Sequence, residues 1–361
     1  MTPTTTMREK TWKGVVRRVR GFLGHRPNAM GIDIGSRLTK TIVFQTDLKK
    51  ATLKDFSIQP TTPRPLPGVQ SDPEGPNIQA LQDQLAVPLR DVGISISGPQ
   101  VFLRSLSLPA MTEEDLREHL RLEIDRYIPL DIQDILWDVY HSKTLHLATE
   151  EKEENFLVVA KKEYIESRLN VFYQQGVDVC FVDVDAFALV NMVTFNYGSD
   201  VSLLLVHLGP TGILAVSIEG GEPSCIREVS YEVEWYGDLL DRVFLPNNLP
   251  SSGKELGASE AMLLEQFFTE TYSHIIETMQ SFSDMSTKPE CTPILLSGGY
   301  ARVPNLSERL TDSLRVPVNL VNPFRAITVP PGIQKDQRFQ QAVPLMSVAV
   351  GVALRGALLH D

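Results

Sequence analysis

The sequence lacks any apolar run of the roughly 18 residues that a membrane-spanning helix requires. Its first residues are polar and basic, without the apolar stretch and cleavage site of a secretory signal, so we expect neither a spanning helix nor a leader. Cysteine is scarce: Cys180, Cys225 and Cys291 are odd in number and far apart. That spacing indicates free thiols in a reducing compartment and argues against a disulfide framework or a cysteine metal site.

Basic residues are outnumbered, with 34 lysines and arginines against 45 acids and a net charge of −11. This balance argues against a nucleic-acid binder. The remaining composition is that of a globular protein, since 42% of the 361 residues are hydrophobic and 22% are charged. The length provides for about two domains. We therefore expect a cytoplasmic globular protein.

The basic residues are concentrated at the N-terminus, where residues 1–26 hold seven lysines and arginines and one acid, Glu9. Apolar side chains recur there at helical spacing, with basic ones opposite, so residues 1–28 are predicted to form an amphipathic arm. Such an arm suits an anionic membrane surface. The residues predicted to touch that surface are Trp12, Lys13, Arg17, Arg18 and Phe22. Docking on a partner or on the protein's own acidic body, or plain disorder, remain alternatives, because Gly14, Gly21 and Gly24 weaken a free helix.

The stretch "AMGIDIGSRLTKTIVFQ" (29–45) places an acid, a glycine, a serine and a lysine in the turn between two apolar runs. A phosphate would use all of them. Gly35 admits the backbone, Ser36 donates, Lys40 supplies charge and Asp33 can hold Mg²⁺ through water. An ordinary hairpin turn is the alternative.

The chain is organised as two related halves with an insertion. The segment 202–229 repeats the pattern of 30–58, an apolar run, a Gly-containing turn and another apolar run. Between them, strand-like residues 93–109 precede a helix that begins after Thr112 and turns an apolar face of Leu116, Leu120 and Ile124 inward. This insertion offers a sheet edge and a helix flank, the surfaces that commonly bind extended peptides.

Three motifs, taken in order, resemble those of the actin-like ATPase superfamily. They are "DIGSRLTK" (33–40) and "HLGPTGI" (207–213), which resemble its two phosphate loops, and "LLSGGYARVPNL" (295–306), which resembles its adenosine loop. Within that superfamily the chain is most similar to the PilM family of type IV pilus assembly. The matching stretches are "LPAMTEEDLREHLRLEIDRYIPLDIQDILWDVY", "LVVAKKEYIESRLNVFYQQGVDVCFVDVDAFAL", the segment from "LLSGGYARVPNL" to "VNPF", and the terminal "SVAVGVALRG".

The resemblance implies an α/β fold of duplicated actin-like (ribonuclease H-like) domains with a small inserted α+β subdomain. The implied boundaries are a first subdomain at 29–92 and 163–199, the insertion at 93–162, a second half at 200–342 and a C-terminal helix at 343–361 returning to the first subdomain. It also implies a site for ATP or ADP with Mg²⁺, the metal at Asp33. The implied nucleotide-binding residues are Asp33, Gly35, Ser36, Thr39, Lys40, Gly209, Thr211, Gly298, Gly299 and Tyr300.

The implied partner is the cytoplasmic tail of PilN, a single-pass inner-membrane protein, bound between the insertion and the first subdomain. Other proteins of the pilus platform are further implied partners, which would place the chain peripherally at the inner membrane. Arg104 and Glu123 are candidates for the rim of that groove. For either residue taken alone, the alternative is a side chain that is exposed to solvent and binds no partner.

The second phosphate loop departs from the family pattern. His207 stands where an aspartate is usual, and Pro210 removes a backbone donor from the turn. Asp183 or Asp185 can fill the role of the connecting-helix acid, although Asp185 also suits a helix N-cap. We therefore expect a binding scaffold with a weak, non-hydrolytic nucleotide site. An active actin-like ATPase and a membrane-tethered filament protein of the cell-division type are the alternatives.

Overall fold

The computed structural model describes residues 28–47, 50–61, 76–141, 152–210, 212–231, 257–283 and 292–358. The predicted membrane-surface arm and Thr211 lie outside the described residues. The chain divides into two compact units, one of Met1–Met192 with Val348–Asp361 and one of Val193–Ser347. No helix among the described residues is long and apolar enough to cross a bilayer.

The first unit is built on a five-stranded sheet in the order β3-β2-β1-β4-β8. Its strands are Asn28–Ile34 (β1), Leu38–Asp47 (β2), Lys50–Pro60 (β3), Val92–Ile96 (β4) and Val179–Val184 (β8). The central strands β1 and β4 are parallel and buried along almost their whole length, which explains why they are continuously apolar. The unit's helices are Ile78–Gln84 (α1), Glu113–Tyr127 (α2), Lys162–Tyr173 (α3), Asp185–Tyr197 (α4), inside which the unit boundary falls, and Ser347–Leu358 (α9).

The second unit repeats this design, with a five-stranded sheet in the order β11-β10-β9-β12-β13. Its strands are Leu203–Leu208 (β9), Gly212–Glu219 (β10), Glu222–Ser230 (β11), Ile294–Ser297 (β12) and Val318–Leu320 (β13). Its helices are Ala258–Ser283 (α5), Leu306–Leu314 (α6), Pro331–Gln334 (α7) and Gln337–Ala342 (α8). In both sheets the first three strands pair as two antiparallel hairpins, and two further strands then add in parallel beside the first strand. The repetition that the sequence pattern predicted is therefore present in the topology.

The insertion is a three-stranded antiparallel sheet covered on one face by α2. Its strands are Val101–Pro109 (β5), Ile135–His141 (β6) and Lys152–Lys161 (β7), in the order β5-β7-β6. The predicted boundary placed the start of the insertion at residue 93. Because β4 pairs with β1 and β8, residues 92–96 belong instead to the first five-stranded sheet.

Helix α2 forms where its sequence predicts. Thr112 Oγ1 accepts the Asp115 amide at 3.1 Å, and three acids occupy the first turn. Leu116, Leu120 and Ile124 are buried against the insertion's sheet. Arg117 on the same helix forms an ion pair of 2.5 Å with the buried Asp138 of β6, which fixes the helix on the sheet.

The C-terminal helix α9 packs against β1 so closely that a side chain would not fit. A Cβ on Gly31 would lie 2.3 Å from the Ala353 nitrogen. The same helix carries Arg355, whose guanidinium forms a buried ion pair of 2.8 Å with Asp183 at the end of β8. Because both residues are almost fully buried, this pair ties the end of the chain into the first unit.

Candidate functional site

The β1–β2 turn of the first unit closes on itself around an ion pair. Asp33 and Lys40 are opposite one another in the hairpin, with 2.6 Å between Lys40 Nζ and Asp33 Oδ2. Lys40 Nζ also donates to the Leu38 carbonyl at 3.2 Å, and the Gly35 amide donates to the same carbonyl at 3.1 Å. The acid and lysine that the sequence singled out are therefore brought together.

Gly35 is required by this geometry. A Cβ at that position would lie 2.9 Å from Lys40 Nζ and 3.0 Å from the Leu38 carbonyl oxygen. Ser36 at the tip of the turn is exposed. The turn therefore presents the Ser36 hydroxyl to solvent, which is compatible with a phosphate group, while the Lys40 ammonium group is engaged by Asp33.

Thr39 does not belong to this surface. It is fully buried, and its hydroxyl hydrogen-bonds to that of Thr61 at 2.8 Å. The prediction that the Thr39 side chain contacts a nucleotide is corrected, because its hydroxyl joins β2 to the segment after β3.

The carboxyl group of Asp185 lies near Asp33, a proximity that the sequence analysis did not predict. Asp185 opens α4, and Ser95 Oγ donates to its Oδ1. Ser95 is the register partner of Asp33 across β1 and β4, which places the three residues at adjoining strand ends. The pKa of Asp185 is raised to about 7, first by burial and then by the charge of Asp33, against the opposing effects of Ser95, Ser97 and Lys40.

Sequence reasoning missed Ser95. The signal was a serine in the otherwise apolar strand "VGISI", near the carboxyl end of a buried parallel strand, where α/β sheets place ligand-binding side chains.

Asp183, the other candidate for an orienting acid, serves the fold. Its Oδ1 accepts from Arg355 at 2.8 Å and from the Val184 amide at 2.8 Å. Burial raises the pKa of Asp183, and the Arg355 guanidinium acts against that rise. Because it is completely buried and paired, Asp183 is not available to orient a water molecule, so that candidate role is withdrawn.

In the second unit, His207 occupies the end of β9 and bonds within its own sheet. Its Nδ1 lies 3.1 Å from Ser297 Oγ, its neighbour across β9 and β12. The Gly209 amide donates to the Gly212 carbonyl at 3.0 Å. The turn therefore uses the Gly209 donor internally, and an imidazole nitrogen does not replace a hard oxygen ligand for Mg²⁺.

Gly298 and Gly299 have different roles. Gly298 has φ 89°, and a Cβ there would lie 2.3 Å from the Leu208 carbonyl oxygen, so its glycine is required by strand packing. Its amide donates to the Pro344 carbonyl at 3.1 Å. Gly299 faces open space, since the nearest atom to a Cβ there would be Leu345 Cγ at 4.0 Å. Gly299 therefore leaves the main chain uncovered by side chains of the second unit on that side.

Tyr300 points into the core. It is 1% exposed, and its ring packs edge-to-face on Phe267 with centroids 6.0 Å apart. The prediction of a nucleotide contact is corrected for the Tyr300 side chain, because the phenol ring is part of the hydrophobic core of the second unit.

The two predicted partner-binding residues are at the surface of the insertion. Arg104 is exposed on β5, and its cross-strand partner Leu157 belongs to the core beneath α2. Glu123 is half-buried on α2, where it pairs with Arg126 at 2.8 Å and approaches His119 at 3.7 Å. Both lie on the α2 side of the insertion's sheet.

The polar groups of each unit can be compared with what a nucleotide and its Mg²⁺ ion require. The exposed Ser36 with Lys40 fits a phosphate, and the open main chain at Gly299 fits a flat ring. A magnesium site is not supported, since Asp33 is held by Lys40 and the described residues contain no group of three acidic, histidine or cysteine side chains arranged for a metal.

Comparison with known proteins gives the family. The profile of the "Type IV pilus assembly protein PilM" family matches residues 31–202 and 252–357, well over half of the chain. The fold is similar to a solved PilM–PilN type IV pilus biogenesis complex, with a TM-score of 0.69 at 22% identity, covering 91% of this chain and 98% of that one.

Two further solved structures show lower similarity. A diol dehydratase-reactivating factor in nucleotide-free form gives a TM-score of 0.49 at 10% identity, covering 91% of this chain and 99% of that one. The ethanolamine utilization protein EutJ from Carboxydothermus hydrogenoformans gives 0.46 at 11% identity, covering 97% and 99%. The profile match and the duplicated sheets lead to one conclusion: the chain belongs to the PilM family of type IV pilus assembly proteins and has the actin-like fold that its sequence predicted.

Proposed function

We propose that this protein is a scaffold of the type IV pilus inner-membrane platform that binds the cytoplasmic tail of a PilN-like single-pass membrane protein. Membership of the PilM family supports the pilus role, and the similar solved structure is itself a complex of PilM with PilN. The observation that carries the proposal is the open outer edge of β5, which pairs with β7 on one side and, within the described residues, with no strand on the other.

That edge is suited to an extended peptide. Unpaired backbone groups along an edge strand give affinity, and the alternating side chains beside them give specificity. Phe102, Leu103 and Leu108 of β5 are only partly buried, so apolar surface remains next to the edge. Arg104 lies among them as the exposed charge.

The flanking helix α2 makes this surface predominantly acidic. Its first turn alone carries Glu113, Glu114 and Asp115, all exposed. Arg117 pairs with Glu113 at 3.1 Å as well as with Asp138, which leaves Glu114 and Asp115 as the further exposed acids of that turn. A tail that combines apolar residues with basic ones would therefore be complementary to the surface.

Nucleotide binding in this proposal is weak and is not followed by hydrolysis. Within the first unit, the exposed Ser36 hydroxyl and the Lys40 ammonium group would hold a phosphate group. A bound nucleotide would supply phosphate charge, which the Lys40 ammonium group attracts. Hydrolysis needs an oriented water, and the position expected to carry an acid is His207, which bonds to Ser297.

The protein's place in the cell follows from the partner in the same proposal. A chain bound to a membrane protein's cytoplasmic tail lies peripherally at the inner membrane, beside the other proteins of the platform. The basic segment 1–26 would add attraction to an anionic bilayer, at about 1 kcal/mol for each lysine or arginine near the surface.

A binding titration tests this function. A synthetic peptide of the PilN-like protein's N-terminal tail, labelled with a fluorophore, is titrated with the full chain. Reversing the charge at Arg104 (Arg104→Glu) should strengthen binding of the basic tail at least threefold, whereas Arg90→Glu, at an exposed arginine before β4, should leave the affinity unchanged. If the peptide binds both variants and the unaltered chain equally well, the tail does not use the β5 edge. If it binds none of them, the proposed partner is wrong.

A further inference from the structure

A groove of about 410 Å³ lies in the second unit, between α6 and β13. It is far along the chain from both the insertion and the predicted phosphate loops. The strand β13 ends its sheet, so one of its edges pairs with β12 and the other, within the described residues, pairs with no strand. This open edge forms one wall of the groove, and the helix α6 forms the other.

The backbone groups of β13 can be assigned to the two edges. The Ile294 amide donates to the Pro317 carbonyl at 2.9 Å and the Val321 amide donates to the Leu296 carbonyl at 2.8 Å, so the odd-numbered residues of this segment face β12. Because backbone groups alternate in direction along a strand, Val318 and Leu320 face outward.

Of the two outward residues, Val318 has its amide occupied. Thr311 Oγ1 of α6 accepts the Val318 amide at 3.1 Å and lies 3.5 Å from the Val318 carbonyl oxygen. Leu320 has no such neighbour among the described residues. One amide donor and one carbonyl acceptor are thus directed into the groove at Leu320, the unpaired pattern that an added strand satisfies.

The side chains around Leu320 define what such a strand would carry. The Leu320 side chain is 45% exposed and offers an apolar contact. Glu308 and Asp312 lie one turn apart on the groove side of α6, an arrangement of like charges that destabilises a helix. Arg309, between them in sequence, makes a two-pronged ion pair with Glu265 at 2.7 and 2.9 Å and therefore does not neutralise them.

We propose that the open edge of β13 binds an extended basic segment of a partner protein. The segment's backbone pairs with Leu320, one of its apolar side chains contacts the Leu320 side chain, and a lysine or arginine lies against Glu308 and Asp312. Charge complementarity selects this occupant, since no cation within the described residues pairs with Asp312. This surface is distinct from the β5 edge of the first unit and gives the scaffold a second binding site.

The test uses the full chain and a defined probe, a fluorescent heptapeptide of alternating lysine and valine, capped at both ends. Its anisotropy is measured with the unaltered protein and with variants. Leu320→Pro removes the outward amide but no hydrogen bond to β12, and the loss of one hydrogen bond should weaken binding about tenfold. Leu320→Ala retains the amide and is its matched control. The double variant Glu308→Gln with Asp312→Asn should weaken binding about fivefold, as expected for two exposed ion pairs.

Amide exchange measured by NMR locates the peptide independently of the variants. Bound peptide should slow exchange at the Leu320 amide and leave Asn319, whose amide faces β12, unchanged. Equal affinity for all variants, or slowed exchange elsewhere only, overturns the proposal. If a glutamate–valine peptide binds as tightly as the lysine–valine peptide, the proposal that the bound segment carries lysine or arginine is wrong. If the unaltered chain self-associates in sedimentation and the Leu320→Pro variant does not, the occupant is a second copy and the partner assignment is wrong.

Discussion

Replacing Asp185 by asparagine should change how stability depends on pH. In the folded protein the pKa of Asp185 is raised to about 7, against 3.8 for an unperturbed aspartate, because burial and the neighbouring charge of Asp33 both disfavour the ionised carboxyl. Between these two values the folded protein holds a proton that the unfolded chain has released. Wild-type stability therefore falls as the pH rises from about 4 to about 7, and the loss is complete above the folded pKa.

The size of the effect follows from the shift. A difference of about 3 pKa units corresponds to about 4 kcal/mol. Asp185 keeps partial contact with solvent, which reduces the expected loss to about 2 kcal/mol. Asp185→Asn keeps an acceptor for Ser95 and carries no charge, so this part of the pH dependence should disappear.

Urea unfolding between pH 4 and pH 8, in buffer containing a chelator, measures the effect. The free energy of unfolding of the unaltered chain should fall about 2 kcal/mol further across this range than that of Asp185→Asn. Asp178→Asn, at an exposed position before β8, is the control and should follow the unaltered chain. Parallel pH profiles for Asp185→Asn and the unaltered protein would show that Asp185 is not held as a protonated carboxyl beside Asp33.

Three further predictions concern hydrolysis, the arm and the C-terminal helix. Phosphate release from ATP should stay at background, because His207 replaces the expected acid, and robust turnover abolished by Asp33→Ala would refute the scaffold proposal. Deleting residues 1–26 should release the protein from anionic liposomes while leaving its melting temperature nearly unchanged, whereas unfolding of the truncated chain would make the arm structural. Arg355→Met should cost about 3–5 kcal/mol in urea unfolding, because it leaves the Asp183 carboxylate buried without its partner. Adding Asp183→Asn should recover part of that loss, and a single variant as stable as the unaltered chain would contradict the assigned pair.

Local signals predicted the elements whose causes are local. Helix α2 begins at Glu113 after its cap Thr112 and buries Leu116, Leu120 and Ile124, because capping and helical periodicity are properties of neighbouring residues. The duplication was also predictable, since each half repeats the same order of apolar runs and turns. Asp33 and Lys40 are brought together by a hairpin, which is again a short-range structure.

Features that depend on long-range pairing were not predictable in the same way. The hydroxyl of Thr39 bonds to Thr61 across two strands, so a residue in a phosphate-loop motif serves the fold. Tyr300 follows a glycine pair, but its ring is buried in the core, where it packs against Phe267 on a separate helix. Periodicity gives the face of an element and not the neighbour that will cover it.

Hydrogen exchange with and without the PilN-like tail peptide tests the central claim most directly. The full chain is labelled in both states, and protection is compared between β5 with α2 and the loop that follows β12. We predict protection of amides within residues 100–128 and none within residues 297–305, because the tail adds to the open edge of β5. Protection confined to the second unit, or none at a peptide concentration that saturates binding, would contradict this account.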